Sequence, residues 1–326
     1  MAGKGGPWPY GSTAPLREDV LRVLGVLKVA TADQIQELTR PHLTFRHPAP
    51  RNRGHRTAAH RNAALDLAHH GLVLSEGRSR DRTKLYGLTA GGLEAASRVL
   101  GRPMTEMGSI AHGAAVHGAA HMLDVNESVL VLLRPAPSKD AYDRLEPADQ
   151  AVVDTRPRGI GALDTLTTEV DLPVTGTDAR PGIGSVQADL VITVPEHRIP
   201  LMFVCVDRST MVPERVVLKL RRYQQYFERK DRQGEQRWRN RWCVYEDQLP
   251  NVALVLTGRS DAALSNRART ILSLADGLDT LFPVICTTLP RLQEHGPWGE
   301  TWWSTTSRDQ PQPLDRVLGL TTGTEL

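Results

Sequence analysis

Four side chains in the second half of the chain have the types and spacing used in metal-dependent phosphodiester cleavage. Asp189 opens the strand-like run Ala188-Asp-Leu-Val-Ile-Thr-Val, and Asp207 follows a second run, Leu201-Met-Phe-Val-Cys-Val. Glu169 sits in a third, Leu166-Thr-Thr-Glu-Val-Asp-Leu, and Lys219 lies early in the segment after Asp207. Carboxylates on adjacent strands can hold Mg2+ against a scissile phosphate while a lysine orients or activates water. Asp189, Asp207 and Lys219 are therefore the candidate catalytic set, and Asp189, Asp207 and Glu169 the candidate magnesium ligands. An aspartate at a strand edge is also a common turn or cap residue. The same residues equally fit a structural role that needs no cofactor.

A different chemistry is written between Leu38 and Leu65. Arg40, Arg46, Arg51, Arg53, Arg56 and Arg61 occur there without one acid, interleaved with His42, His47, His55 and His60. A segment that repels itself this strongly suits a polyanion, and phosphate backbones are the commonest one in a cell. The alternative is a solvated loop. Residues 1–100 carry 15 Lys/Arg against 8 Asp/Glu, so the first third is basic although the whole chain has a net charge of only +3. A second basic stretch, Arg215 to Arg241, holds ten Lys/Arg against Glu228, Asp231 and Glu235.

Other reactive types give weaker patterns. His117 and His121, with His112 nearby, have metal-ligand spacing on a helix but no carboxylate or cysteine beside them; Gly and Ala around them point to helix packing. Tyr223 and Tyr226 have the spacing of a helical pair, and packing explains them better than a nucleophilic role. Cys205, Cys243 and Cys286 are too far apart for a thiolate cage and read as small buried hydrophobes.

These residues need elements to hold them. Leu16, Val20, Leu24 and Leu27 recur at helical spacing, and Thr31 caps a second helix that Pro41 ends. A third helix begins near Thr57, carries Ala58, Leu65 and Ala68 inward and stops at Gly71. Leu72-Val-Leu-Ser-Glu and Thr83-Lys-Leu-Tyr-Gly-Leu form a hairpin around the charged turn Gly77-Arg-Ser-Arg-Asp-Arg, and Thr89 opens a closing helix. This order is that of a winged helix-turn-helix. Its expected contacts with double-stranded DNA are Arg51, Arg53, Arg56, Thr57, His60 and Arg61 on and before the third helix, with Arg78, Arg80, Arg82 and Lys84 on the hairpin.

The expected domains are a disordered 1–15, a winged helix over 16–104, a connecting helix over 105–135, a linker over 136–165, an α/β domain over 166–290 and a tail over 291–326. In the α/β domain, nearly uniform apolar strands alternate with helices, which implies a sheet buried on both faces. The chain of 326 residues has no apolar run near the roughly 18 residues of a membrane helix. Its first residues, Met-Ala-Gly-Lys-Gly-Gly-Pro-Trp-Pro-Tyr, lack a secretory hydrophobic stretch. The expectation is a cytoplasmic protein without a membrane partner.

Gly71-Leu-Val, Tyr86-Gly-Leu-Thr-Ala-Gly-Gly, Ala188-Asp-Leu, Phe203-Val-Cys-Val-Asp-Arg-Ser-Thr and Lys219-Leu-Arg-Arg-Tyr together resemble the replication-relaxation family of actinobacterial plasmids and integrative elements. The resemblance spans roughly residues 16–290 and implies a restriction-endonuclease-like fold for the second half. It also implies a role in plasmid replication, mobilisation or their control, with replication or transfer proteins, or a second copy of the chain, as partners. In that family a glutamate usually stands where this chain has Cys205. A neutral thiol is a poor substitute for a carboxylate on magnesium. The expected second domain is accordingly a nuclease-like scaffold without hydrolysis. An active Mg-dependent nuclease or nickase, and a winged-helix transcription regulator, remain the alternatives.

Overall fold

Val20, Leu21, Val23, Leu24 and Leu27 close one face of helix α1 (Ala14–Leu27), which Pro15 starts with a backbone angle already helical. The computed structural model describes residues 6–79, 81–110, 119–175, 184–242, 244, 250–278 and 282–320. The chain divides into two units, residues 1–130 with 135–156, and residues 131–134 with 157–326. Among the described residues no helix is long and apolar enough to cross a membrane.

In the first unit α1 leads into strand β1 (Val29–Thr31) and helix α2 (Ala32–Thr39). Thr31 caps α2 in a reciprocal box with Gln34: Thr31 Oγ1 accepts from Gln34 N, and Gln34 Oε1 accepts from Thr31 N. Short helices α3 (His42–Arg46) and α4 (Arg53–Arg56) fill the arginine-rich stretch, followed by α5 (Ala58–His69), β2 (Val73–Arg78), β3 (Lys84–Leu88) and α6 (Ala90–Leu100). The three strands form an antiparallel sheet in the order β1-β3-β2. Strand β1 has only three residues, too few for period-2 patterning to reveal it. Gly92, near the start of α6, touches the hairpin so closely that a Cβ there would lie 1.9 Å from the Leu72 carbonyl oxygen. Only glycine fits that approach.

Helix α5 is rotated from the expected face. Its buried residues are His60, Ala63, Ala64, Asp66 and Leu67, whereas Leu65 is half-buried and Ala68 exposed. A polar group sets this phase. The Asp66 carboxylate, fully buried, accepts hydrogen bonds from Tyr10 N at 2.8 Å and Ser12 N at 2.9 Å. Trp8 also stacks on His70 with ring centroids 4.2 Å apart. The expected disorder of residues 1–15 therefore does not hold for residues 6–15, because a buried carboxylate anchors their backbone.

Helix α7 (Ala119–Leu133) follows; of the three candidate metal histidines only His121 falls within it, His112 and His117 lying outside the described residues. Asn126 donates to Val29 O at 2.8 Å and to Gln34 Oε1 at 3.1 Å, tying α7 to the capping box. The expected linker over 136–165 contains two helices, α8 (Lys139–Tyr142) and α9 (Pro147–Thr155), which group with the first unit. Pro147 stands at the N-terminus of α9, and Tyr142 Oη donates to the Asp154 carboxylate at 2.9 Å.

The second unit is mixed α/β around a seven-stranded sheet in the order β10-β9-β8-β7-β6-β5-β4. Strands β4 (Leu166–Pro173), β5 (Ser185–Val194) and β6 (Ile199–Asp207) are an antiparallel meander. Helices α10 (Pro213–Glu228) and α11 (Arg237–Trp242) lead to β7 (Asn251–Leu256), and α12 (Asp261–Leu274) leads to β8 (Val284–Thr288); β6, β7 and β8 are parallel. After α13 (Leu289–His295), the expected tail extends the sheet through β9 (Trp302–Ser304) and β10 (Ser307–Gln312), before a last turn α14 (Leu314–Val317). Trp302 and Trp303 are wholly buried, so the expected tail contributes to the core.

Burial would raise the Asp66 carboxyl, but the bonds from Ser12 and Tyr10 outweigh it and hold it below the ordinary range. A depressed carboxylate stabilises above its unfolded pKa of about 4 and loses that stability as pH falls through the folded value. Asp66→Ala is expected to destabilise the first unit by about 2 kcal/mol at neutral pH. Thermal melts of the variant and the parent should converge toward the acid limit.

Candidate nucleic-acid interface

The arginine-rich stretch is held in place by acids outside it. Asp33, in the first turn of α2, lies 3.4 Å from Arg53 Nε and 3.5 Å from Arg56 Nη2. Arg56 also donates to His47 O at 2.8 Å, and its side chain is only 10% accessible. Asp19 on α1 accepts from Arg40 Nε at 2.8 Å and faces His60 Nε2 at 3.5 Å. Burial would raise the Asp19 carboxyl, but the His60 and Arg40 contacts prevail and lower it. His60 completes this cluster with Thr39 Oγ1 at 3.2 Å.

Three expected contact residues are thereby corrected. His60 is 0% exposed, Thr57 is 4% exposed with its hydroxyl bonded to Arg53 O, and Arg56 is clamped beneath the surface. Arg56 ends α4, Thr57 joins it to α5 and His60 lies in the first turn of α5; His60 points inward because the buried face of α5 passes through it. Arg51 is exposed beside α4.

The remaining expected residues converge. Arg53, Arg61, Arg78, Arg82 and Lys84 line one concave cleft of about 410 Å³, with Thr57 and Tyr86 among its other walls. Five cations face this space against Asp33 alone among the lining acids. Arg61 is exposed and donates to Gly54 O at 2.9 Å. The hairpin is bent by a register shift between Ser75 and Gly77. At its tip Asp81 accepts from Ser79 Oγ and Thr83 Oγ1, bonds that lower its carboxyl to about 2. Arg78 Nη1 reaches Arg82 O at 2.7 Å, fixing a turn in which Arg82 has φ 64°. Lys84 lies 5.1 Å over the Tyr86 ring, whose hydroxyl pKa burial raises. Arg80 lies outside the described residues. Asp33 and Tyr86 escaped the sequence analysis, since nothing in a capping segment or a strand marks either as a cleft residue. Asp81 also lies 3.8 Å from Arg53 Nη1, yet a concave surface with five cations can take phosphate groups.

In the second unit Asp189 and Lys219 meet and the other two candidates do not. Asp189 Oδ2 accepts from Val206 N at 2.7 Å and lies 3.7 Å from Lys219 Nζ. Cys205 Sγ is 3.0 Å from Tyr223 Oη, which reaches on to Gln187 O. Burial pushes the Cys205 thiol up and, with Cys205 adjacent, the Tyr223 hydroxyl well up. Burial alone would lower the Lys219 ammonium, but the neighbouring Cys205 and Asp189 outweigh it and raise it to about 12. Asp207 is turned to Arg267 Nε at 2.7 Å and accepts from Ser209 N at 3.1 Å. Glu169 occupies the register position opposite Asp189, but its backbone, at φ 53°, interrupts the pairing and the residue is exposed. Tyr223 and Tyr226 are buried packing residues; Cys205 and Cys286 are buried free thiols, and Cys243 lies outside the described residues.

These donors do not fit magnesium, which needs several oxygens around one point. Asp189 and Asp207 are committed to different cations. Among the described residues no three His, Cys, Asp or Glu side chains gather as a metal cage. The cavity beside Cys205, Asp207 and Lys219 is about 20 Å³, room for one water.

Fold and site together define a two-unit α/β protein with a cationic cleft in the first unit and an internally neutralised carboxylate cluster in the second. The replication-relaxation family model matches residues 21–238, and the chain belongs to that family. Membership suggests a role in plasmid replication or mobilisation. No curated protein and no solved structure matches the chain.

The Lys219 ammonium, raised above its unfolded value of about 10.4, contributes stability below that pH and loses it as pH rises through about 12. Lys219→Met strips Asp189 of this counter-charge. Because Lys219 is partly solvent-accessible, the expected loss is about 1–2 kcal/mol at pH 7. Chemical denaturation should show it there and show it shrinking above about pH 11.

Proposed function

We propose that this protein binds double-stranded DNA through a winged helix in its first unit, in plasmid replication, mobilisation or their control. The observation that carries this reading is the convergence of Arg53, Arg61, Arg78, Arg82 and Lys84 on one cleft between helix and hairpin. An α1-β1-α2 lead, a polar helix and a two-stranded ribbon in the strand order β1-β3-β2 supply the scaffold for it. Arg53 and Arg61 would meet the duplex from the helix side. Arg78, Arg82 and Lys84 would grip neighbouring phosphates from the ribbon. The inward Arg56, Thr57 and His60 would hold the helix at its angle instead of reading bases.

The second unit acts in this reading as a nuclease-like scaffold that does not hydrolyse DNA. Support comes from the commitment of Asp189 to Lys219 and of Asp207 to Arg267. The protein would work inside the cytoplasm, alone or as a homodimer, with replication or transfer proteins beside it.

Reversing Arg61, Arg78 and Arg82 to Glu should weaken duplex binding by at least about 100-fold at moderate salt, since six units of charge change beside the phosphates. Fluorescence anisotropy with the full chain measures it, and parental affinity in the triple variant would overturn the cleft's role. Separately, incubation of supercoiled plasmid with pure protein and Mg2+ or Mn2+ should leave it unnicked. Nicking that disappears in Asp189→Ala would establish the nuclease reading instead.

A further inference from the structure

Seven of the ten basic residues from Arg215 to Arg241 fall into two sets. Arg229 donates to Pro173 O, Arg237 to Lys230 O, Arg239 to Gln236 Oε1 and Arg241 to Asp171 O, so these four are spent on holding the fold. Among the described residues, Arg215, Arg221 and Arg222 make no side-chain hydrogen bond or ion pair. All three lie on the outward side of α10. Arg215, Leu218 and Arg222 are spaced at three and four residues, one above another on one face. Arg215 and Arg222 are about 10.5 Å apart along the helix axis at 1.5 Å per residue.

Leu218, at the centre of this face, is 57% exposed, and Met211 and Val212 are exposed at the helix's start. Glu214 is the nearest acid in sequence on the outward side. A surface with unneutralised guanidinium groups around an apolar centre is matched by a polyanion whose charges recur along a rail with apolar sugar between them. The aromatic residues of this helix, Tyr223, Tyr226 and Phe227, are all buried. The face therefore offers no stacking platform for unpaired bases.

We infer that the outward face of α10 is a second, sequence-independent contact for the phosphate backbone of duplex DNA, separate from the cleft of the first unit. It rests on the reading that the chain engages DNA, and it assigns the second unit a part in that engagement. Two cationic surfaces on two units would let one chain hold a longer stretch of duplex, or two stretches, than one winged helix covers.

The test measures duplex affinity of the full chain against salt for the parent, the triple variant Arg215→Ala/Arg221→Ala/Arg222→Ala, and the cleft variant described above. Each lost phosphate contact should reduce the slope of log K against log salt by about 0.9, so the triple variant should flatten it by about 2–3, equally on unrelated sequences. The corresponding three-lysine variant should restore the slope, because charge and not fork geometry is what this contact uses. An unchanged slope in the alanine variant, with loss of binding in the cleft variant, would overturn the second contact and leave the first standing. That is also the outcome if the face serves an acidic protein instead. A flattened slope with an unaffected cleft variant would support this contact and overturn the cleft.

Discussion

A guanidinium stays charged at every pH where a protein folds and carries five donors, so each arginine must find acceptors inside the chain or outside it. With 34 arginines and 37 acids in the whole chain, that requirement organises both units. In the first, Asp19 takes Arg40 and Asp33 takes Arg56 and part of Arg53, which pins the arginine-rich stretch against α1 and α2. Arg53, only partly held, and Arg61, which neither acid reaches, are left facing the cleft. The same carboxylates thus fix the local fold and decide which cations remain available to a ligand.

The second unit applies the rule with the signs exchanged. Asp189 and Asp207 sit near the sheet's centre, where burying a carboxylate without a partner is expensive. Lys219 answers one and Arg267 the other, each from a helix packed on the sheet. A catalytic metal would have to supply that compensation itself, from a point both carboxylates could reach. Here two separate cations supply it, and Cys205 pairs with Tyr223 at 3.0 Å in the same unit.

Much of this was legible in the chain. The strands at Ala188 and Leu201, the helix over Pro213–Glu228 and the Thr31 cap follow from apolar runs, period and capping chemistry, all local signals. What could not be read depends on distant residues. Whether Arg56 and His60 face a groove or the core is decided by Asp33 and Asp19, more than 20 positions upstream. The phase of α5 is set by two amides near the N-terminus that need Asp66. Three-residue β1 and the helices over 139–155 are too short for periodicity to declare. The tail strands look irregular because β9 and β10 take their pairing from a completed sheet.

That division has a consequence for reading basic segments generally. Counting arginines in Leu38–Leu65 gives six, yet the fold consumes Arg40 and Arg56 there and recruits Arg78, Arg82 and Lys84 from the hairpin to the same surface. The stretch after Arg215 behaves alike, with Arg229, Arg237, Arg239 and Arg241 tied to backbone or side-chain oxygens. A positive run marks where cations are plentiful, while the carboxylates and carbonyls folded against it determine how much field reaches the solvent. For binding to a phosphate backbone only the unneutralised remainder counts, because only those cations release counterions when the complex forms.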